Sequence, residues 1–168
     1  MQYPSDEHEA LRLKALRSYS TAGSINDSAL DDLTMLTAEL CAVPIALVTL
    51  VDLDRVWIKS SIGISISDIP REHSFSHYTI QQAGLLIIPD VLQDERFQAS
   101  PWWALAPQIR FYAGIPLINP EGLAIGTLSV MDYNPRTLTM RQQSCLCALG
   151  RQTMMQMELK RCLSEDDL

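Results

Sequence analysis

The tetrapeptide Asn119-Pro120-Glu121-Gly122 lies between two apolar runs, residues 110–118 and 123–131, and no other feature constrains the chain so strongly. Proline presets φ at the second position of a tight turn and glycine accepts a positive φ, so the two runs are held as antiparallel strands of one hairpin. A second hairpin is written the same way. Residues 45–51 (Ile45-Ala46-Leu47-Val48-Thr49-Leu50-Val51) are short and β-branched, Asp52-Leu53-Asp54-Arg55 supplies a turn, and residues 56–60 return. Leu85-Leu86-Ile87-Ile88 is a further strand, stopped by Pro89-Asp90.

Helical spacing governs the remainder. Residues 6–19 place Leu11, Ala15 and Tyr19 on one face with Leu13 and Leu16 nearby, and leave Glu7, Glu9, Arg12 and Lys14 for solvent. Asn26, Asp27 and Ser28 offer caps for a second helix carrying Leu30, Leu33, Leu36 and Leu40, which Val43-Pro44 ends. Residues 61–72, broken by Gly63 and Pro70, read as a long loop with the character of a lid. Residues 74–82 form a short helix stopped by Gly84, and residues 93–108, with Trp102 and Trp103 between Pro101 and Pro107, are irregular. Thr139 caps a last helix reaching about residue 163. One of its stripes (Leu146, Leu149, Thr153, Met157) covers the sheet; another (Cys145, Ala148, Gln152, Met155, Leu159, Cys162) is left for a partner. The order of elements describes an α+β fold, a central antiparallel sheet with helices packed on one face and a loop-covered pocket on the other. Residues 1–24 are read as a helical extension, 25–160 as the domain and 161–168 as an acidic tail.

Composition narrows the function. A chain of 168 residues suits one domain, and 47% hydrophobic residues exclude wholesale disorder. The net charge of −7, without a basic cluster, opposes binding to nucleic acid. No apolar run approaches the ~20 residues of a bilayer span, and Met1-Gln2-Tyr3-Pro4-Ser5-Asp6-Glu7 has no signal-peptide character, so a cytoplasmic location with reduced thiols is expected. Cys41, Cys145, Cys147 and Cys162 contain no CxxC pair. His73 and His77 share a helical spacing of four but lack a third ligand, so no metal is expected. Ser76 beside His77 has neither an elbow motif nor an orienting acid, which argues against a hydrolase.

Arg110-Phe111-Tyr112-Ala113-Gly114-Ile115-Pro116-Leu117, followed by Pro120-Glu121-Gly122 and Ile125-Gly126-Thr127-Leu128-Ser129-Val130-Met131-Asp132, resembles the paired C-terminal strands of GAF domains. The ordered motifs Ser74-Phe75-Ser76, Ile88-Pro89-Asp90 and Asp94-Glu95-Arg96-Phe97 extend the likeness over about residues 25–159. The resemblance implies a non-enzymatic sensory module of bacterial signalling proteins, including two-component systems, whose pocket lies between sheet and loops. Such a module regulates an attached output domain such as a histidine kinase or diguanylate cyclase. Ser76 stands where pigment-binding relatives often carry cysteine, so no covalent bilin is expected, and the cofactor, if any, is unknown. The cyclic-nucleotide signature of the family is not found, and no cysteine falls in the pocket loops as methionine-sulfoxide reduction requires. Ligand candidates are Trp57, Phe75, His77, Tyr78, Asp90, Trp103, Arg110 and Tyr112, each weighed against simple core packing. Arg110 has three readings: an anion site, a pair with Asp90 or a pair with Asp132. The leading expectation is a small-ligand sensor that relays through its terminal helices as a homodimer. The alternative is a ligand-free dimerisation module whose pocket is filled by its own side chains, and a third reading is a non-covalent chromophore binder.

Overall fold

The computed structural model describes residues 5–21, 27–97 and 108–166. Six strands, β1 (Ile45–Val51), β2 (Arg55–Ile62), β3 (Asp68–Pro70), β4 (Leu86–Ile88), β5 (Phe111–Ile118) and β6 (Ala124–Asp132), form one sheet in the order β3-β2-β1-β6-β5-β4. Every neighbouring pair is antiparallel. The helices are α1 (Asp6–Thr21), α2 (Ser28–Cys41), α3 (Phe75–Thr79) and α4 (Met140–Asp166), with short 3-10 turns at Arg71–His73 and Val91–Gln93. None is long and apolar enough to cross a membrane.

The β5–β6 hairpin forms on the expected turn. Asn119 Oδ1 accepts the backbone N–H groups of Glu121 and Leu123, and Gly122 adopts φ +83°. Strand alternation then divides the sheet into two buried faces. Ala46, Val48, Leu50, Phe111, Ala113, Leu117, Leu128 and Val130 meet α1, α2 and α4 in one core. Ile45, Leu47, Ile69, Phe75, Ile88, Phe97, Tyr112 and Met131 form a second core beneath α3 and its flanking turns. Gly126 permits the closest strand approach: a Cβ built there would lie 1.9 Å from the Thr49 carbonyl oxygen.

Helix faces differ from the apolar count in two places. Arg12, expected in solvent, is 2% exposed, whereas Leu11 is 53% exposed. The α1 helix crosses the ends of β1 and β6, where Arg12 Nη1 donates to the carbonyls of Val51 (2.6 Å) and Ala124 (3.4 Å). Leu36 and Leu40 of α2 face outward, while Thr34 and Thr37 are buried with Leu30, Ala38 and Cys41. Each threonine donates its hydroxyl to the carbonyl four residues earlier, so its polar atom is satisfied inside and the helix turns that face to the sheet.

The predicted loop over 61–72 contains an edge strand and a 3-10 turn. Asp68-Ile69-Pro70 is too short to show a period, and Pro70, which has no N–H to donate, is suited to a sheet edge. The α3 helix is shorter than 74–82 and starts where Ser74 Oγ accepts from His77 N. The α4 helix opens on a reciprocal cap between Thr139 and Gln142 and continues to Asp166. Leu146, Thr153, Met154 and Met157 of α4 are buried, and Met155 (63%) and Leu159 (53%) are exposed.

Candidate functional site

Strand alternation places Thr49 of β1, Tyr112 of β5 and Thr127 and Ser129 of β6 on the face that α3 covers, and α3 lays Ser76 and Thr79 over them. All six hydroxyl residues are buried. Thr49, Ser76 and Thr127 close a triangle of hydroxyl contacts at 2.8, 3.0 and 3.3 Å, in which each donates once. Thr79 donates to the Phe75 carbonyl at 3.1 Å and therefore accepts from the Tyr112 hydroxyl at 2.6 Å. That hydroxyl lies over Gly114, where a Cβ would come within 2.2 Å of it, so the bare glycine makes room for the tyrosine. Ser129 Oγ is enclosed without a hydrogen-bond partner among the described residues. Burial, opposed by the surrounding hydroxyls, pushes the Tyr112 phenol up to about 12, so it remains a neutral donor. No formal charge enters this cluster, whose donors and acceptors are all neutral hydroxyls.

Aromatic rings wall it. Phe75 stacks on Tyr112 at 4.7 Å between centroids and meets Phe97 at 4.7 Å, and Tyr78 stands edge-on to Phe97 at 4.9 Å. The Arg96 guanidinium, paired with Asp94, sits over Tyr78 and Phe97. Phe75, Tyr78 and Tyr112, three of the sequence candidates, thus share one assembly.

The other candidates lie elsewhere. His77 faces α1 across a cleft of about 310 Å³ that Glu9, Arg12, Arg71 and Gln81 also line. Arg71 Nε donates to His77 Nδ1 (3.2 Å), which leaves the ring proton on Nε2. Nε2 meets the Gln81 amide at 3.1 Å, an approach that is attractive with the amide oxygen turned to the ring. Burial, reinforced by the Arg71 charge, lowers the His77 pKa and keeps the ring neutral. Burial of Glu9 pushes its carboxyl up, but hydrogen bonds and charges from Arg12 and Arg71 outweigh this and bring it down to about 2.

Arg110 grips Asp90 with two parallel bonds of 3.0 and 2.8 Å, which settles its three readings in favour of Asp90; Asp132 pairs with Arg136 instead. The Asp90 carboxylate also caps the Val91–Gln93 turn, so this pair clasps the end of β4 to the start of β5. Trp57 is registered opposite Leu50, a residue of the helix-side core, and its indole donates to Asp52, so it is on the wrong face to line the α3 cluster. Trp103 lies outside the described residues. His73 pairs with Glu72 rather than His77, and all four cysteines are on α2 and α4. Burial, with Cys145 nearby, raises the Cys41 thiol to about 11.

Sequence reasoning missed the hydroxyl set and Phe97. The signal existed in β6, where Thr127 and Ser129 alternate with Leu128 and Val130, a period of two that separates a polar face from an apolar one. Nothing in the sequence joins Glu9 and Arg12 to Arg71, because that juxtaposition is long-range.

Comparison with known proteins adds the family context. A GAF domain family model matches residues 26–157. A cyclic di-GMP phosphodiesterase of Pseudomonas aeruginosa is 36% identical over 134 residues, which is 80% of this chain but 22% of that protein, so the chain spans about a fifth of its length. Solved GAF domains share the fold. The GAF domain of a phosphoenolpyruvate-protein phosphotransferase from Coxiella burnetii superimposes with a TM-score of 0.70 at 10% identity, covering 96% of this chain and 99% of that one. The corresponding domain from Acinetobacter gives 0.68 at 16% identity, covering 98% and 99%.

Proposed function

From its place in the GAF family, to which this chain belongs, we propose that it is a non-enzymatic, cytoplasmic sensory module that takes up a small uncharged ligand beneath α3. Residues 25–160 are the sensing unit, and the segments on either side carry its state to an output domain, in the same chain or a partner. One observation carries the reading: a buried hydroxyl cluster with Ser129 Oγ unspent. Apolar residues of the same shape would serve a purely structural core as well, since a buried hydroxyl without a partner costs about 1–3 kcal/mol. A ligand bearing a hydroxyl, carbonyl or amide would satisfy Ser129 and stack on Phe75 as Tyr112 swings aside.

The relay runs through α4. Its Glu158 accepts from the Tyr19 hydroxyl of α1 (2.5 Å), and Lys160 pairs with Asp27 at the start of α2 (2.5 Å), so a shift of α4 moves both. Exposed Met155 and Leu159 lie on the face of α4 turned away from the domain core and supply the seam of a parallel homodimer, joined by α1. Likeness to a cyclic di-GMP phosphodiesterase over a fifth of its length supports a signalling role and makes a cyclic-dinucleotide enzyme one candidate output.

A second reading has its own support: Phe75, Phe97 and Tyr112, each at most 2% exposed, already pack the space beneath α3, as a ligand-free dimerisation module requires. Native mass spectrometry of the purified protein separates the two. A small-molecule mass excess that is lost on collisional activation, and lost from a Ser129→Leu variant, is the expected result. A dimer of bare chain mass from cells and after incubation with cell metabolite extract overturns the sensor reading in favour of the second.

A further inference from the structure

We propose that the cleft between α1 and α3 is a second binding site, for a small monocarboxylate, in which Glu9 is the resident occupant and the ligand's carboxylate its replacement. The donors are already arranged around a carboxylate. Glu9 Oε1 accepts from Arg12 Nη2 (2.8 Å) and Arg71 Nη1 (2.5 Å), and Oε2 accepts from Arg12 Nε (2.8 Å). This is the forked geometry by which guanidinium groups select planar carboxylates.

Neither arginine depends on Glu9 for its position. Arg12 is pinned by the carbonyls of Val51 and Ala124, and Arg71 by the Asp52 carbonyl and by His77 Nδ1. Removal of the glutamate therefore leaves two preorganised cations facing an open cleft of about 310 Å³, room for a molecule of several heavy atoms. An anion must be present at all times, because Arg12 is 2% exposed and an unpaired charge so placed is strongly unfavourable.

The cleft offers a ligand more than Glu9 uses. Gln81, whose amide oxygen takes the His77 Nε2–H, brings its NH2 donors to one wall, and Leu53 and Ile80 give an apolar surface on which a short carbon chain can rest. Asp6 at the same cleft discourages a second negative charge, which selects a monoanion. Exchange of Glu9 for a ligand carboxylate would release α1 from Arg71 while leaving Arg12 neutralised. The site thus reports to the N-terminal helix by a route separate from the cluster beneath α3.

Chemical rescue tests it. Glu9→Ala should melt well below wild type in sodium chloride and recover several degrees in sodium acetate at the same ionic strength of about 0.1 M, where screening is matched. The double variant Glu9→Ala/Arg71→Ala should lose that recovery. Equal melting in the two salts, or equal recovery without Arg71, overturns the proposal. Should Glu9→Ala fold in neither salt, Glu9→Gln decides: saturable acetate-dependent shifts of the His77 and Gln81 side-chain resonances uphold the site, and their absence overturns it. In the wild type, butyrate should accelerate amide exchange in the first turns of α1 without touching β5; a flat response overturns displacement of Glu9.

Discussion

Replacement of Gly126 by alanine tests the sheet at its tightest point. The new Cβ would lie 1.9 Å from the Thr49 carbonyl oxygen, 2.9 Å from the carbonyl carbon and 3.2 Å from Leu50 Cα, all backbone atoms of the neighbouring central strand. Carbon and carbonyl oxygen settle at about 3.3 Å, so β1 and β6 must part locally by roughly 1.4 Å. A ladder bond of ordinary length does not survive that opening. One or two lost bonds at about 1 kcal/mol each, added to overpacking of about 1–3 kcal/mol, give a destabilisation of about 2–5 kcal/mol. For a domain of this size, at about 2–4 °C per kcal/mol, the melting temperature should fall by about 4–20 °C. Gly84→Ala is the control, because nothing lies within 4 Å of a Cβ there, and its φ is not in the left-handed region. Restricting the unfolded chain should make it neutral or slightly stabilising. Differential scanning calorimetry on the two variants decides. Equal melting temperatures would refute the reasoning, since they would mean that β1 and β6 are not packed as closely as the register Leu50 to Gly126 requires.

Ser129→Ala should stabilise the apo protein by about 1 kcal/mol by removing an unsatisfied buried hydroxyl, whereas Tyr112→Phe should cost about as much; chemical denaturation reads both, and a loss on Ser129→Ala would mean that Oγ has a bound partner. Glu9 has its folded-state pKa depressed from 4.5 to about 2, so its contribution to stability is present above pH 4.5 and is lost as pH falls toward 2. Glu9→Gln should flatten the stability profile in that window, and a profile as steep as wild type would contradict the assignment. Met155→Glu with Leu159→Glu should convert a wild-type dimer into folded monomers by sedimentation equilibrium; a wild-type monomer at tens of micromolar, or a dimeric double variant, removes the α4 seam.

Local signals determined the elements of this protein. The Asn119 to Gly122 turn, the capping pair Thr139 and Gln142 and the apolar runs at β1, β5 and β6 each act through neighbours in sequence, and each appears in the structure where the spacing places it. The resemblance carried by residues 110–132 gave the family for the same reason, since a hairpin is a local object. The stripe of α4 was legible because one helix face reports burial by its period. Tertiary structure decided everything that rests on which face meets which. Trp57 went to the helix side because the β1–β2 hairpin registers it opposite Leu50, whose side chain belongs to the helix-side core. Threonines displaced leucines from the buried face of α2 because a hydroxyl bonded to its own helix is no longer a polar cost. Arg12 went inside because strand-end carbonyls 39 and 112 residues away were waiting for a donor. Hydrophobic periodicity measures how much of a helix can leave water; it cannot register a charge whose compensation is assembled only when distant segments meet.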